Sequence, residues 1–246
     1  MAESLRGQNL TNSIANNLGA AIVTGVYSAE NPMPIEGELC RQYGVSRSVI
    51  REAVKMLTAK GLLGSRPRLG TWVQSEEVWN LLDPDVLRWL LERKLSPALL
   101  VEFLEIRLAM EPGAAALAAR VAGPAEKAAI LDSIKRMQAA DHGDDDPLES
   151  DIAFHVAVLR ASRNRFFAQL TGFTATALRI SIRTTNRYKG VKLASVADHK
   201  KVADAILAGK SAAAGEAMRK LIQEALDLVV KQEAQSARRA AAATAR

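Results

Sequence analysis

Residues 34–61 read PIEGELCRQYGVSRSVIREAVKMLTAKG, and this stretch decides the N-terminal fold. Gly37–Tyr43 has the length of a short helix, and Gly44 can supply the positive φ of a tight turn. Ser46 reads as the N-cap of a further helix, in which Ile50, Ala53, Val54 and Leu57 recur at helical spacing as one buried stripe. Gly61 ends it. Upstream, Leu10, Ile14, Leu18 and Ile22 recur every four residues and predict a helix over 10–26, broken by Asn31-Pro32-Met33-Pro34. Downstream, Leu62–Arg66 and Gly70–Gln74 predict two short strands around Pro67-Arg68-Leu69. The order helix, helix, tight turn, helix, β-hairpin is that of a winged helix-turn-helix.

That order suits double-stranded DNA. A major groove about 12 Å wide admits one helix, and the residues at the helix's N-terminal end reach the base edges. Here that end is Ser46-Arg47-Ser48, with Arg51 one turn on. Arg47 has the fork for a bidentate contact to guanine, and the two serines suit phosphates or bases. Arg66 and Arg68 at the hairpin tip suit the minor groove or the DNA backbone, with Thr71 beside them, and Gly70 lets the wing come close. Residues 36–71 hold seven Lys/Arg against three Glu. A run of charge is more often a solvated face than a binding site. Arginine at both the helix start and the wing tip favours DNA.

The same residues carry a family resemblance. Pro34–Cys40, Gly44–Ala53, Leu57–Gly61 and Gly70–Val73 resemble the DNA-binding domain of GntR-family regulators over about residues 10–75. The resemblance implies DNA contacts from Ser46, Arg47, Ser48, Arg51 and the wing glycine Gly70. Gly37 departs from the pattern, because the family usually has Arg or Ser there making a further contact.

The remaining chain has a different character. Residues 76–95 form an apolar-rich connector with Trp79, Leu82, Val86, Trp89 and Leu90, interrupted by Asp83-Pro84. Ala-rich amphipathic helices follow at about 97–121, 124–140, 147–162, 165–187, 195–208 and 211–234, with no convincing strand. The expected fold is therefore mainly α: a winged helix-turn-helix over 1–75, a connector over 76–95, an all-α antiparallel bundle over 96–236, and a flexible Ala/Arg-rich tail over 237–246. Cys40 is the only cysteine, so no internal disulfide can form. No run approaches the ~20 apolar residues of a membrane span, and the first residues lack a secretory core. These features predict a cytoplasmic protein with no membrane partner. The net charge of +6 permits a polyanionic partner without demanding one.

The bundle carries its own polar constellation. Asp151 and His155 are four apart on a predicted helix and share a face. His199 lies near the start of a later helix. One carboxylate and two imidazoles can hold a divalent ion with positions left open, although Asp-x-x-x-His alone is a weak signal and a lone helical His is more often a structural hydrogen-bonder. Between Asp151 and Asp198 there is no acidic residue, yet eight Lys/Arg fall there. Arg179 and Arg183, four apart, are candidates to meet a small anion; Arg187 fits a solvated face better. Arg107 sits on a helix that is apolar nearby and is a buried candidate for a carboxylate. Asn164 reads as a helix cap.

Glu105-Ile106-Arg107 with Glu111, Ala114–Ala119, Asp151-x-x-x-His155, Arg163-Asn164 and His199 with Ala205-Ile206 resemble the FCD domain of the FadR-type branch of the same family. Metal-binding members have Asp and three His. Asp151, His155 and His199 match, but the last position falls near Leu221, which is apolar. The resemblance implies a divalent metal (Zn, Ni or Mn) and a small organic acid met by Arg107. The connector Trp79–Trp89 resembles that of the family's regulators of sugar-acid catabolism, which implies an aldonate or related hydroxy acid. The functional reading is a ligand-responsive regulator, a repressor by expectation, acting as a homodimer on a near-palindromic operator. The alternative is a metal-dependent enzyme on Asp151, His155 and His199, but nothing in the sequence marks a nucleophile beside them. A nonspecific architectural DNA protein would explain the charge and leave the helical domain without a role.

Overall fold

The computed structural model describes residues 2–66, 70–93, 97–189 and 195–244, with side chains over 10–66, 70–91, 97–182 and 195–234. The chain divides into two units, Met1–Lys94 and Leu95–Arg246.

In the first unit, α1 (Ala2–Val23), α2 (Glu36–Tyr43) and α3 (Arg47–Ala59) precede the hairpin β1 (Leu63–Arg66) and β2 (Gly70–Val73). The strands pair antiparallel in the register Leu63↔Val73, Gly64↔Trp72, Ser65↔Thr71 and Arg66↔Gly70. Gly44 closes α2 in the left-handed region (φ 64°), where its amide bonds the Cys40 carbonyl. Ile14, Leu18 and Ile22 are buried, as are Ile50, Ala53, Val54 and Leu57 of α3, whereas Leu10 is exposed and the stripe of α1 begins a turn later than its spacing suggests. Ser46 stands at the N-cap position of α3 without capping it. Its hydroxyl bonds that of Ser48 instead, at 2.8 Å.

Residues beyond the wing pack back onto the same unit. A 3-10 turn at Glu76–Val78 leads to α4 (Pro84–Arg93). Val86, Leu87, Trp89, Leu90 and Leu91 of α4 are buried. The Trp89 ring occupies the space that a Cβ at Gly19 of α1 would need. Lys60 donates to Asp83 at 2.7 Å and to Asp85 at 3.0 Å, joining the end of α3 to the start of α4.

The second unit is all-helical among the described residues: α5 (Pro97–Val121), α6 (Pro124–His142), α7 (Pro147–Ala161), α8 (Arg165–Gln169), α9 (Thr171–Lys189), α10 (Val196–Leu207) and α11 (Ser211–Thr244). Its core gathers Leu100, Leu104, Ile130, Phe154, Val158, Ile206 and Ile222 with the alanines of α5. Small residues let α5 and α11 approach closely; a Cβ at Gly215 would lie 3.2 Å from the Pro112 carbonyl oxygen. The continuous helix expected over 165–187 is two helices. The Leu170 amide bonds the Phe167 carbonyl three residues back, a tightened turn, and the Thr171 hydroxyl takes the Ala168 carbonyl. Asn164 caps α8 through the Phe166 amide at 2.9 Å. Helix α11 runs past the last periodic residue of the sequence reading to Thr244.

Candidate DNA-reading face and candidate metal site

Ser46, Arg47, Ser48 and Arg51 are exposed at the N-terminal end of α3. Arg47, Gly70 and Thr71 border a common groove of about 430 Å³ with Ile35, Glu36 and Gly37, so the fold brings the helix start and the wing together. Gly70 has φ 82°, and nothing lies where its Cβ would be; the glycine is needed for backbone conformation, not for room. The Arg66 guanidinium sits 6.0 Å from the centre of the Trp72 ring. Arg68 lies outside the described residues.

Two features of this face escape sequence reading. The Arg51 Nε is ion-paired at 3.0 Å with Glu36, fifteen residues away on α2. At the start of α2, Glu38 accepts from the Ile35 amide at 3.3 Å, so two acidic side chains occupy its first turn. A carboxylate there suits the positive end of the helix dipole and repels a DNA phosphate.

The second unit places Asp151 and His155 on α7 and His199 on α10 in one buried cluster. One ligand atom from each lies within 4.8 Å of the others. His155 Nδ1 is 2.7 Å from Glu111 Oε2, and its Nε2 is 3.3 Å from Asp151 Oδ1. His199 Nδ1 is 2.8 Å from the Ser195 carbonyl, and its Nε2 is 3.1 Å from the same Asp151 oxygen. Phe154 packs edge-on against the His199 ring with centroids 5.0 Å apart.

These contacts assign the protons. A carbonyl can only accept, so His199 carries a hydrogen on Nδ1 and donates it to Ser195. The Glu111 carboxylate likewise takes a hydrogen from His155 Nδ1. Burial alone would raise the Glu111 carboxyl, but the Arg107 guanidinium and His155 beside it hold it down to about 2. Burial would raise Asp151 too; His199 and His155 hold it well below the usual carboxylate range. Burial lowers His155, yet Glu111 and Asp151 outweigh that and Arg107, and leave it above its ordinary value. With both Nδ1 atoms engaged outward, both Nε2 atoms face Asp151 Oδ1. The His155 Nε2 also has a terminal nitrogen of Arg107 at 3.2 Å as a donor, whereas a neutral His199 would point its lone pair at the Asp151 carboxylate unless a proton or a metal ion lies between them. The donor set therefore fits a divalent ion, with Glu111 and the Ser195 carbonyl in the outer layer that orients metal-binding histidines.

The cluster opens on a cavity of about 70 Å³ whose wall includes Arg107, Ser181, Ser195, Asp198, Leu221 and Glu224. A water needs roughly 10–15 Å³ on the same scale, so there is room for several waters or a small acid. Leu221, where a fourth ligand was expected, is on the wall and supplies none.

Arg107 is buried on the wall but not unpaired. Its Nε donates to Glu111 Oε1 at 2.6 Å and one terminal nitrogen to Oε2 at 3.3 Å. That nitrogen is also 3.2 Å from both ring nitrogens of His155. Arg179 is elsewhere. It makes a two-point pair with Glu149 at 2.8 and 3.0 Å in the open and is absent from the cavity wall. The reason is helical phase: Leu178, Ser181 and Ile182 of α9 face the cavity, which turns residue 179 outward. The side chains of Arg183 and Arg187 lie outside the described residues. Sequence reasoning missed Glu111 as a site residue, although its four-residue spacing from Arg107 was the available signal.

A winged helix joined to an all-helical unit is the two-part build of a DNA-binding transcription regulator. Residues 10–73 match the model of the bacterial regulatory proteins, gntR family, and residues 102–224 match the FCD domain. The chain belongs to the gntR family of bacterial regulatory proteins, in the group with an FCD domain. It is 37% identical to the galactonate operon transcriptional repressor of Escherichia coli K12 over 163 residues, covering 66% of this chain and 71% of that protein. It is 38% identical over 178 residues to the uncharacterized HTH-type transcriptional regulator YieP of the same organism, covering 71% and 76%. The solved structure of Lar, described as controlling the Listeria monocytogenes agr system, shares the fold with a TM-score of 0.56 at 18% identity, over 90% of this chain and 96% of that one. Among the described residues, no helix is long and apolar enough to cross a membrane.

Proposed function

We propose that this regulator is a dimeric repressor of a sugar-acid or organic-acid operon, released from its operator by a small hydroxylated carboxylate such as an aldonate. The observation that carries this reading is the buried set Asp151, His155 and His199 opening on a polar cavity. The name of the galactonate operon repressor supports the aldonate class. Asp151 and the two Nε2 atoms would hold the metal; when bound, it supplies the positive charge that attracts carboxylate and hydroxyl oxygens. That charge is needed, because Glu111 already balances Arg107, Lys201 is taken up by Asp198, and Glu224 on the wall is acidic. Ser181 and Ser195 suit the hydroxyls of such an acid.

On the DNA side, Arg47 reads a guanine, Ser46, Ser48 and Arg51 meet phosphates or bases, and Arg66, Arg68, Gly70 and Thr71 bring the wing to the adjacent groove. Two copies place two recognition helices on a near-palindromic site. Effector and operator affinities are then reciprocally coupled.

Fluorescence anisotropy on the promoter beside the protein's own gene tests this. D-galactonate with Zn²⁺ should weaken binding, and metal removal should blunt the effect. An operator unmoved by any sugar acid, with or without metal, overturns the release mechanism. A thermal-shift screen of sugar acids with and without divalent ions identifies the effector, since a ligand of the folded state raises apparent stability.

A further inference from the structure

Glu111 links Arg107 to His155 through both of its carboxylate oxygens. It is fully buried, at 0% relative exposure, and lies 44 residues from His155 in sequence. Its two oxygens divide their work. Oε1 takes the Arg107 Nε–H at 2.6 Å, while Oε2 takes the His155 Nδ1–H at 2.7 Å and a second Arg107 nitrogen at 3.3 Å. Arg107 offers five N–H donors in a rigid fork, and Glu111 engages only the Nε side. Arg107 lines the cavity, and its second terminal nitrogen, Nη1, is bonded to neither Glu111 nor His155.

We infer that Glu111 is a positioning residue that acts on both halves of the site at once: it keeps His155 protonated on Nδ1 so that Nε2 is turned to the metal position, and it holds Arg107 by one edge so that the other faces the cavity. The inference rests on the metal reading proposed above and deepens it. Three residues that look like separate anion and metal groups become one unit, and a carboxylate entering the cavity meets an arginine whose orientation is already set. A glutamine at 111 keeps size and an acceptor oxygen but loses the charge, and its amide can donate to His155 as readily as accept from it. The Nδ1–H preference then disappears, with the metal-ready tautomer.

The test uses the full-length protein. The chain has only three histidines, so selective ¹⁵N-histidine labelling gives three resolvable rings. Long-range ¹H–¹⁵N spectra of the metal-free wild type at alkaline pH should show His155 Nδ1 carrying a proton; a bare Nδ1 there overturns the inference. Glu111→Gln, checked for folding by circular dichroism, should shift that ring toward the other tautomer. Its Zn²⁺ affinity, read by competition with a chromogenic chelator, should fall about 10- to 100-fold, the range typical of outer-layer partners. Glu126→Gln, which alters an exposed pair with Arg163 in the same unit, should leave both readouts unmoved. A folded Glu111→Gln protein with wild-type Zn²⁺ affinity and tautomer overturns the inference. If Glu111→Gln does not fold, the wild-type spectrum decides alone. If the wild type binds no Zn²⁺, the metal reading fails, while the tautomer still decides the role of Glu111.

Discussion

The DNA-reading face and the buried cluster of the helical unit treat charge in opposite ways. On the DNA-reading unit Ser46, Arg47, Ser48 and Arg66 stand in solvent, and no ion pair to Arg47 or Arg66 occurs among the described residues. In the helical unit, Arg107, Glu111, Asp151, His155 and His199 are all at least 95% buried and bonded to one another. The difference teaches what each ligand demands. A duplex brings its own dense negative charge and a salt-sensitive counterion cloud, so mobile exposed cations suffice. A small ligand brings little, so its site must be assembled beforehand, and burying charges is tolerable only when each is matched.

The largest test of that contrast is Asp151→Ala. It removes the carboxylate that both Nε2 atoms face, and bound metal should be lost outright, as read by elemental analysis. The N-terminal unit should keep its fold and its operator affinity in the absence of effector. Retained metal with an unaltered effector response would break the comparison at its strongest point.

Acid should come next, and most strongly in the helical unit. Glu111 is lowered from 4.5 in the unfolded chain to about 2 in the fold. Its contribution is therefore fully present above about pH 4.5 and is lost as pH falls toward 2. A shift of that size corresponds to roughly 3 kcal/mol. His155 runs the other way: its raised value stabilises below its unfolded pKa of about 6.5 and the effect is lost as pH rises through the folded value. Metal-free protein should thus lose denaturant resistance of the helical unit between pH 5 and 3. A midpoint that stays level across that window contradicts the matched-charge picture.

Arg47→Ala is expected to cost about 1–3 kcal/mol at one operator base position if the side chain reads guanine. Equal weakening on every sequence would reassign it to phosphate. A smaller effect, of opposite sign, is expected from Glu36→Gln. It frees Arg51 from its exposed pair and removes a negative charge from the face. Affinity for random DNA should rise a few-fold, and the salt slope should steepen by up to about one unit. An unchanged slope would show that Arg51 does not meet the backbone. The smallest effect belongs to Arg179→Ala, which breaks a solvent-screened pair with Glu149 worth well under 1 kcal/mol. Effector response should be untouched, and a lost response would return Arg179 to the site.

Much of this was legible in the chain. The spacing of Ile50, Ala53, Val54 and Leu57, the turn at Gly44 and the hairpin after Gly61 specify a winged helix through local geometry. Asp151 and His155 share a helix face by arithmetic. Arg179 and Arg183 look alike in sequence to Arg107, yet residue 179 points outward, because helical phase relative to the bundle is set by which neighbours pack there. Ser46 fits the composition of an N-cap, but a hydroxyl two residues on, in Ser48, competes for its bond.

The sequence by itself therefore determined the two-part architecture, the DNA-reading helix and the pairing of Asp151 with His155 on one helix face, since each depends on residues a turn or two apart. His199 joined them only through the family resemblance. Only the tertiary structure decided that Glu111 joins Arg107 to His155, that Glu36 restrains Arg51, and that Leu221 faces the cavity without a ligand atom. Those facts depend on helices distant in sequence meeting in a low-dielectric interior or across a turn, where a charge must find a partner that no local rule names.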